Sequence, residues 1–222
     1  LLNGLLVPTA GSVRVGDWDT REVAVSSLAQ RVGYLFQDPR RQVFLETVRD
    51  EVAFGPANLG LPADEVERRC QHWLNRLELS QLAGRHPYDL GESQLRRLAL
   101  ASVLALESDF LVLDEPTASV DERDWCLLSE LVGELVGQGR GVVVITHDME
   151  FAAEHFERAV VLEAGQVRLD GPTEEVFRGR LTTAIEAPVA TRFSLALGFE
   201  PPAVRQETFL AYLKSEAGER LP

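Results

Sequence analysis

Three short apolar runs alternate with longer amphipathic stretches along the chain. The runs are Val32–Phe36, Phe110–Leu113 and Val142–Ile145, and their length is that of buried strands. Between the second and third runs, the pattern from about Glu122 to Val136 predicts a helix. Apolar, β-branched strands that alternate with helices are typical of βαβ units. The pattern therefore predicts an α/β fold with a parallel sheet.

Further stretches carry helical periodicity. From Pro62 to Leu79, apolar residues recur at helical spacing between charged ones, which predicts a peripheral amphipathic helical layer. Gln94–Leu106 presents a face of small and apolar residues suited to close packing. From Leu181 onward the pattern is again helical, with breaks at its prolines.

Two shorter patterns complete the predicted order of elements. Leu1–Leu6 is predicted to be the last turns of an apolar-faced helix, because Pro8 and turn-forming residues follow it and a strand begins near Val13. Val160–Leu162 and Val167–Leu169 are separated by a short turn and predict a hairpin.

Composition narrows the classes of function. The 222 residues, 45% of them hydrophobic, suffice for one main domain with a C-terminal extension. Acidic residues outnumber basic ones by 35 to 22, giving a net charge of −13, which argues against a nucleic-acid partner.

Cys70 and Cys126 fit a reduced cytosolic compartment. No apolar run approaches the roughly 18 residues of a membrane span, so a membrane would be reached through a partner. The only methionine is Met149, which predicts that the chain begins inside a longer protein.

The strongest single signal for chemistry is the acid pair Asp114 and Glu115, directly after the run Phe110–Leu113. The carboxyl end of a buried parallel strand is where open α/β sheets build their ligand sites. One acid there can hold Mg²⁺, directly or through water, while its neighbour orients a water for attack on a γ-phosphate. The alternative is an ordinary solvated strand end.

His147 occupies the corresponding place after the run Val142–Ile145. A lone histidine is more often structural than catalytic. Parallel strands of one sheet, however, present their carboxyl ends at the same edge. The acid pair and His147 together therefore favour a site at that edge.

Five segments resemble the motifs of ATP-binding-cassette (ABC) ATPases. They are Leu113–Thr117 for the Walker B segment, Ala118–Asp121 for the D-loop, Ile145–Asp148 for the switch histidine, Tyr34–Pro39 for the Q-loop and Leu90–Leu106 for the signature segment and its helix. Their order and spacing agree with the family over about residues 1–178. The resemblance implies a P-loop NTPase-like ABC ATPase core with a parallel sheet over residues 1–180, a helical subdomain at about 45–105 within it, and a C-terminal helical extension over 181–222.

The resemblance also implies roles for the motif residues. Asp114 would support Mg²⁺, Glu115 would be the general base, and His147 would contact the γ-phosphate of ATP. Gln37 would sense the metal and the attacking water and would couple the site to a transmembrane partner. Asp121 would act across the interface with a second cassette.

The signature segment departs from the family pattern. The family reads Leu-Ser-Gly-Gly-Gln where this chain reads Leu-Gly-Glu-Ser-Gln at residues 90–94. By the resemblance, Gly91, Ser93 and Gln94 would bind the γ-phosphate held by the opposite cassette, with Ser93 supplying a displaced hydroxyl. Glu92 would bring a negative charge near that phosphate. A degenerate composite site is one interpretation, and a variant that still works is the other.

A second departure is the absence from the 222 residues of G-x-x-x-x-G-K-[ST], the loop whose backbone N–H groups and lysine hold phosphates. Each charge-assisted hydrogen bond to phosphate contributes roughly 1.5–3 kcal/mol. Losing four or five such bonds removes about the whole 8 kcal/mol of a micromolar complex. We therefore expect the chain by itself to hydrolyse no ATP.

Gln42–Phe44 and Glu51–Gly60 are similar to segments of the cassettes of energy-coupling-factor importers for vitamins and transition-metal ions. A generic entry into the helical subdomain is the alternative interpretation. By the resemblance, the complete protein would be an ATPase at the cytoplasmic face of the membrane, paired with a second cassette and driving import through transmembrane subunits. The rival hypothesis is a catalytically degenerate cassette that acts as a structural or regulatory partner in a heterodimer.

Overall fold

The computed structural model describes residues 1–118, 120–178 and 185–219. The strands are β1 (Arg14–Val15), β2 (Trp18–Asp19), β3 (Val32–Leu35), β4 (Phe110–Asp114), β5 (Gly141–Ile145), β6 (Arg158–Glu163) and β7 (Gln166–Pro172). The helices are α1 (Val25–Arg31), α2 (Val48–Asn58), α3 (Ala63–Arg76), α4 (Glu92–Leu104), α5 (Glu122–Gly137), α6 (Met149–His155), α7 (Thr173–Arg178), α8 (Val189–Leu197) and α9 (Gln206–Glu219). The chain divides into two compact units, Leu1–Ile145 and Thr146–Pro222.

The first unit is built on a parallel sheet in the order β3-β4-β5, three strands among the residues that the structure describes. Leu35 pairs with Leu113, and Asp114 pairs with Ile145. Leu113 in the central strand is buried, as is usual for parallel strands covered by helices. The predicted α/β fold with a parallel sheet is confirmed.

The predicted helical layer lies within the same unit. Helix α3 buries Cys70, Trp73 and Leu74, and α4 buries apolar and small side chains over most of its length. Both α3 and α4 contact α2. Cys70 is a buried free thiol, whereas the free thiol of Cys126 is exposed.

The predicted helix over Leu1–Leu6 is wrong. Residues 2–6 form turns and bends, and Gly4 has a φ of 74°. A segment this short cannot offset the cost of helix nucleation, and a left-handed glycine interrupts a right-handed helix. The strand expected near Val13 is present as β1, which pairs antiparallel with β2.

The second unit contains the predicted hairpin and the C-terminal helices. Strands β6 and β7 pair antiparallel, and Ala164 and Gly165 between them both have positive φ angles. Val161, Val176, Phe177 and neighbouring apolar residues form its core. The predicted domain boundary after residue 180 lies outside the described residues and stays a prediction. Each helix in the described part of the chain is too short or too polar to span a bilayer.

Candidate functional site

The acid pair lies at the carboxyl edge of the parallel sheet. Asp114 ends β4, and the backbone N–H of Glu115 donates to the carbonyl oxygen of Ile145 in β5 over 2.8 Å. This bond extends the pairing of β4 and β5 by one residue. Both acids therefore stand where the pattern predicted, and their chemical roles stay predictions.

Glu115 adopts a left-handed backbone conformation with a φ of 50°. Such a conformation costs a non-glycine residue about 1–2 kcal/mol and persists only where the surrounding structure imposes it. Here the bond to Ile145 holds one side of the residue, and the N–H of Ala118 donates to the Glu115 carbonyl oxygen over 3.2 Å. The chain thus turns sharply as it leaves β4.

A tyrosine of the neighbouring strand holds the Asp114 carboxylate. The Tyr34 hydroxyl on β3 donates a hydrogen bond to Asp114 Oδ2 over 2.9 Å. Burial, and then this hydrogen bond, raise the pKa of Tyr34 above its ordinary value. Tyr34 therefore remains a protonated donor at neutral pH and fixes one carboxylate oxygen at the edge of the sheet.

Gln37 lies in the exposed loop that follows β3, on the same edge of the sheet as the acid pair. Gln42 ties this loop to α4. Its Oε1 accepts from the N–H of Phe36 over 3.2 Å, and its Nε2 donates to the carbonyl oxygen of Ala99 over 2.9 Å. The loop is therefore anchored on the helix that carries the signature segment.

The signature segment forms the first turn of α4. Gly91 is the N-cap residue, and its N–H donates to Gln94 Oε1 over 3.2 Å. Gly91 and Glu92 are exposed, whereas Ser93 and Gln94 are half-buried. Exposed backbone N–H groups at a helix N-terminus attract anions, and the Glu92 carboxylate opposes that attraction.

The Ser93 hydroxyl is engaged within the chain. It donates to Asp124 Oδ2 in the first turn of α5, and Arg97 Nη2 donates to the Ser93 oxygen over 3.2 Å. A contact between Ser93 and a phosphate requires the hydroxyl to give up its hydrogen bond to Asp124. The predicted contact stays a prediction.

Asp121 caps the N-terminus of α5. Its Oδ1 accepts from the N–H of Asp124 over 2.8 Å, the bond expected of an N-cap aspartate. The predicted D-loop aspartate therefore has a local structural role, and its proposed action across a cassette interface stays a prediction.

His147 belongs to the second unit and is the second residue after β5. It is exposed, and Asp148 beside it caps α6 by accepting from the N–H of Phe151 over 3.0 Å. The N–H of Asp148 donates to Thr146 Oγ1 over 2.9 Å. The segment is therefore locally ordered, while the role of His147 stays a prediction.

The sequence profile of the ABC transporter family matches residues 1–118, more than half of the chain. The chain belongs to the ABC transporter family. This finding confirms the predicted family and agrees with the Walker B, Q-loop and signature segments placed above.

Relatives in the ABC transporter family include ATP-binding proteins. One from Methanosarcina acetivorans is 43% identical over 176 residues, covering 79% of this chain and 29% of that protein. The energy-coupling factor transporter ATP-binding protein EcfA2 of Bacillus cereus is 41% identical over 182 residues, covering 79% of this chain and 62% of that protein. The chain thus spans between about a third and two thirds of the length of these relatives.

A solved structure confirms the ABC cassette fold. The chain superimposes on cbiO1 of Clostridium perfringens, described as part of the ABC transporter complex cbiONQ, with a TM-score of 0.69 and 30% sequence identity. The match covers 90% of this chain and 78% of that one. The predicted likeness to energy-coupling-factor cassettes is consistent with the similarity to EcfA2.

The carboxyl edge of the sheet, where Asp114 and Glu115 lie, offers carboxylate oxygens that suit Mg²⁺. Mg²⁺ prefers oxygen ligands, keeps several waters, and is usually bound through one or two carboxylates together with substrate phosphates. Asp114 is half-buried, and Tyr34 donates to one of its two oxygens. Among the described residues, no cluster of three or more His, Cys, Asp or Glu side chains could hold a metal. A metal at Asp114 would therefore need phosphate and water as further ligands.

Sequence reasoning gave no role to the side chains that hold the motifs in place. Tyr34, Gln42, Arg97 and Asp124 contact motif residues or their helices through side chains. Val32 and Tyr34 are two positions apart and therefore lie on the same face of β3. The polar hydroxyl of Tyr34 beside an apolar Val32 could have drawn attention to this residue. Nothing in the sequence pattern links Arg97 to Asp124, since that contact depends on how α4 and α5 pack.

Proposed function

We propose that this chain forms most of the ATP-hydrolysing cassette of an importer of the energy-coupling-factor type. The acid pair Asp114 and Glu115, at the carboxyl edge of the sheet in an ABC family member, carries the proposal. The similarity to EcfA2 supports the energy-coupling-factor type, and the similarity to cbiO1, described as part of an ABC transporter complex, supports a role in transport. In the complete protein, Mg-ATP hydrolysis at the interface of two cassettes would drive import of a metal ion or vitamin.

Each motif residue has a separate role in hydrolysis in this proposal. Asp114 and Gln37 would bind Mg²⁺, and the bound metal would neutralise phosphate charge there. Glu115 accepts a proton from the attacking water. His147 donates a hydrogen bond to the γ-phosphate, and Asp121 acts on the partner cassette.

The first turn of α4 would close the site on the partner cassette. Gly91 and Gln94 lie at the exposed helix N-terminus, where an anion is stabilised by backbone N–H groups. Ser93 would join them only by exchanging its bond to Asp124 for one to phosphate. The Glu92 charge weakens this closure, so the composite site is expected to be the slower of two in a heterodimer.

The proposed partners are a second cassette, identical or different, and transmembrane subunits that contact the Gln37 loop and the Ala63–Leu79 region. In this arrangement the protein would lie at the cytoplasmic face of the membrane. The net charge of −13 gives no support to a nucleic-acid partner.

Turnover of Mg-ATP by the full-length protein, assembled with its partners, tests the proposal. Glu115→Gln should lower kcat at least about 100-fold, because general-base catalysis typically contributes 10²–10⁴-fold, while ATP binding persists. Glu130→Gln, an exposed carboxylate on α5, is the matched control and should leave turnover unchanged. Full activity of Glu115→Gln would refute the catalytic role.

The second candidate function is a catalytically degenerate cassette that supports a partner. The Gly91-Glu92-Ser93 sequence in the signature segment favours it. In that case Glu115→Gln would leave the turnover of the assembled complex unchanged. Under either candidate, we infer that the 222-residue chain alone hydrolyses no ATP, and turnover by the folded chain alone would overturn this inference.

A further inference from the structure

A buried carboxylate joins the first turns of α4 and α5. Asp124 is only 7% exposed. It accepts hydrogen bonds from two side chains of α4, the Ser93 hydroxyl and Arg97 Nε, the latter over 2.7 Å. Arg97 Nη2 also donates to the Ser93 oxygen over 3.2 Å. The three side chains close a ring of hydrogen bonds, which we call the Asp124 clasp.

An outer carboxylate completes the charge balance of the clasp. Glu78, just after α3, accepts from Arg97 Nη1 over 2.7 Å and from Arg123 Nη2 over 2.5 Å. The side chains of Arg97 and Asp124 are 14% and 7% exposed, and charges this buried are tolerated only when paired and hydrogen-bonded. The clasp therefore has a defined geometry, because loss of any one bond leaves a buried polar group without its partner.

Helix α4 also holds the D-loop segment before it enters α5. The Arg96 guanidinium donates to the carbonyl oxygen of Ala118. The adjacent residues Arg96 and Arg97 thus hold the two ends of the segment from Ala118 to Asp124. Asp121 between them caps α5 through the N–H of Asp124. The signature turn and the D-loop are therefore fixed to each other by directional bonds rather than by apolar packing alone.

We propose that Asp124 is a positioning residue for ATP hydrolysis, which fixes the Gly91–Gln94 turn relative to the D-loop through Ser93 and Arg97. The inference rests on the proposed function. A turn that must close on a phosphate gains rate from being held in one geometry, and small displacements of positioning groups reduce rate steeply. Asp124 touches no nucleotide in this proposal and acts only through α4.

The kinetic test uses the full-length protein assembled with its partners. Asp124→Ala should lower kcat about tenfold with KM for ATP changed less than about twofold, and Asp124→Asn, which keeps one oxygen acceptor, should recover part of the loss. Glu134→Ala, which removes a carboxylate from the same helix as Asp124, is the matched control. It breaks a pair of similar length, Arg76 Nη2 to Glu134 Oε1 at 2.7 Å, which joins α3 to the other end of α5, and it should leave kcat unchanged.

Amide hydrogen exchange without nucleotide tests the clasp independently of hydrolysis. Asp124→Ala, or Ser93→Ala if the first variant fails to fold, should speed exchange of the Leu95 amide, which bonds to the Gly91 carbonyl oxygen over 2.9 Å, whereas Glu134→Ala should not. Faster exchange together with lower kcat supports the proposal. Unchanged exchange, or an equal loss of kcat in Glu134→Ala, overturns it. A wild-type protein without ATP turnover would defeat the proposed function, and exchange alone would then decide whether the clasp holds the turn.

Discussion

Glu51 is a charged side chain inside the fold. It is 3% exposed on α2, and its Oε2 accepts from the backbone N–H groups of Phe44 and Leu45 over 2.9 and 2.8 Å. A carboxylate that accepts from two backbone donors forms strong, charge-assisted bonds. Glu51 therefore fixes the loop that leads into the helical layer.

Glu51→Ala should lower the free energy of unfolding by about 2–4 kcal/mol, because it leaves two backbone donors without their acceptor. Urea unfolding of the full-length protein measures the change. The control is Glu67→Ala, which removes an exposed ion pair to Arg49 and should cost less than about 1 kcal/mol. Equal losses in the two variants would show that the buried bonds of Glu51 contribute little.

Helix α4 is the element on which the proposed site depends. It packs on β3 at Gly33, where an added Cβ would lie 2.7 Å from Val103 Cγ1 and 2.9 Å from Ser108 Oγ. Gln42 in the segment after the Q-loop donates a hydrogen bond to α4, and Asp124 in α5 accepts one from it. A side chain at position 33 would push α4 away from the sheet and disturb these contacts.

We expect Gly33→Ala to lower the free energy of unfolding by about 1–3 kcal/mol, the usual cost of overpacking. Gly133→Ala is the matched control in α5, where an added Cβ meets no described atom within 4 Å. That variant should stabilise the protein by roughly 0.5–1 kcal/mol, because alanine favours a helix over glycine. Parallel urea titrations measure both changes, and a neutral Gly33→Ala would contradict close packing of α4 on β3.

For the molecule as a whole, stability should depend on pH through the second unit. Burial lowers the pKa of His155 in α6 below the ordinary histidine value, so the unfolded chain binds a proton more readily than the folded chain. The stabilisation is therefore present above the ordinary pKa of about 6.5 and is lost as pH falls through it towards the folded pKa.

Unfolding free energy measured between pH 8 and pH 5 should decline on the acid side. His155→Gln should flatten that decline, whereas the control His72→Gln, an exposed residue on α3, should preserve it. If His155→Gln retains the full decline, groups other than His155 cause the pH dependence.

The apolar runs determined much of the molecule by themselves. Strand and helix periodicities are local properties of the chain, so β3, β4, β5 and helices α3, α4 and α5 followed from pattern alone, whereas α2 did not. The acid pair at the end of β4 followed too, because a residue's place along a strand is set by the chain. The helix predicted over Leu1–Leu6 failed, since a short apolar pattern does not outweigh a left-handed Gly4.

Only the tertiary structure decided which side chains hold the motifs. Tyr34 and Asp114 are 80 positions apart, and Ser93 and Asp124 are 31 apart, so no local periodicity relates them. Their hydrogen bonds arise from strand register and from the packing of α4 against α5. The sequence by itself therefore determined the strands of the parallel sheet, helices α3, α4 and α5, the family, and the position of the acid pair at a strand end. The contacts that hold the motif side chains in place could be identified only from the tertiary structure, because they join residues that come together only when the sheet and the helices pack.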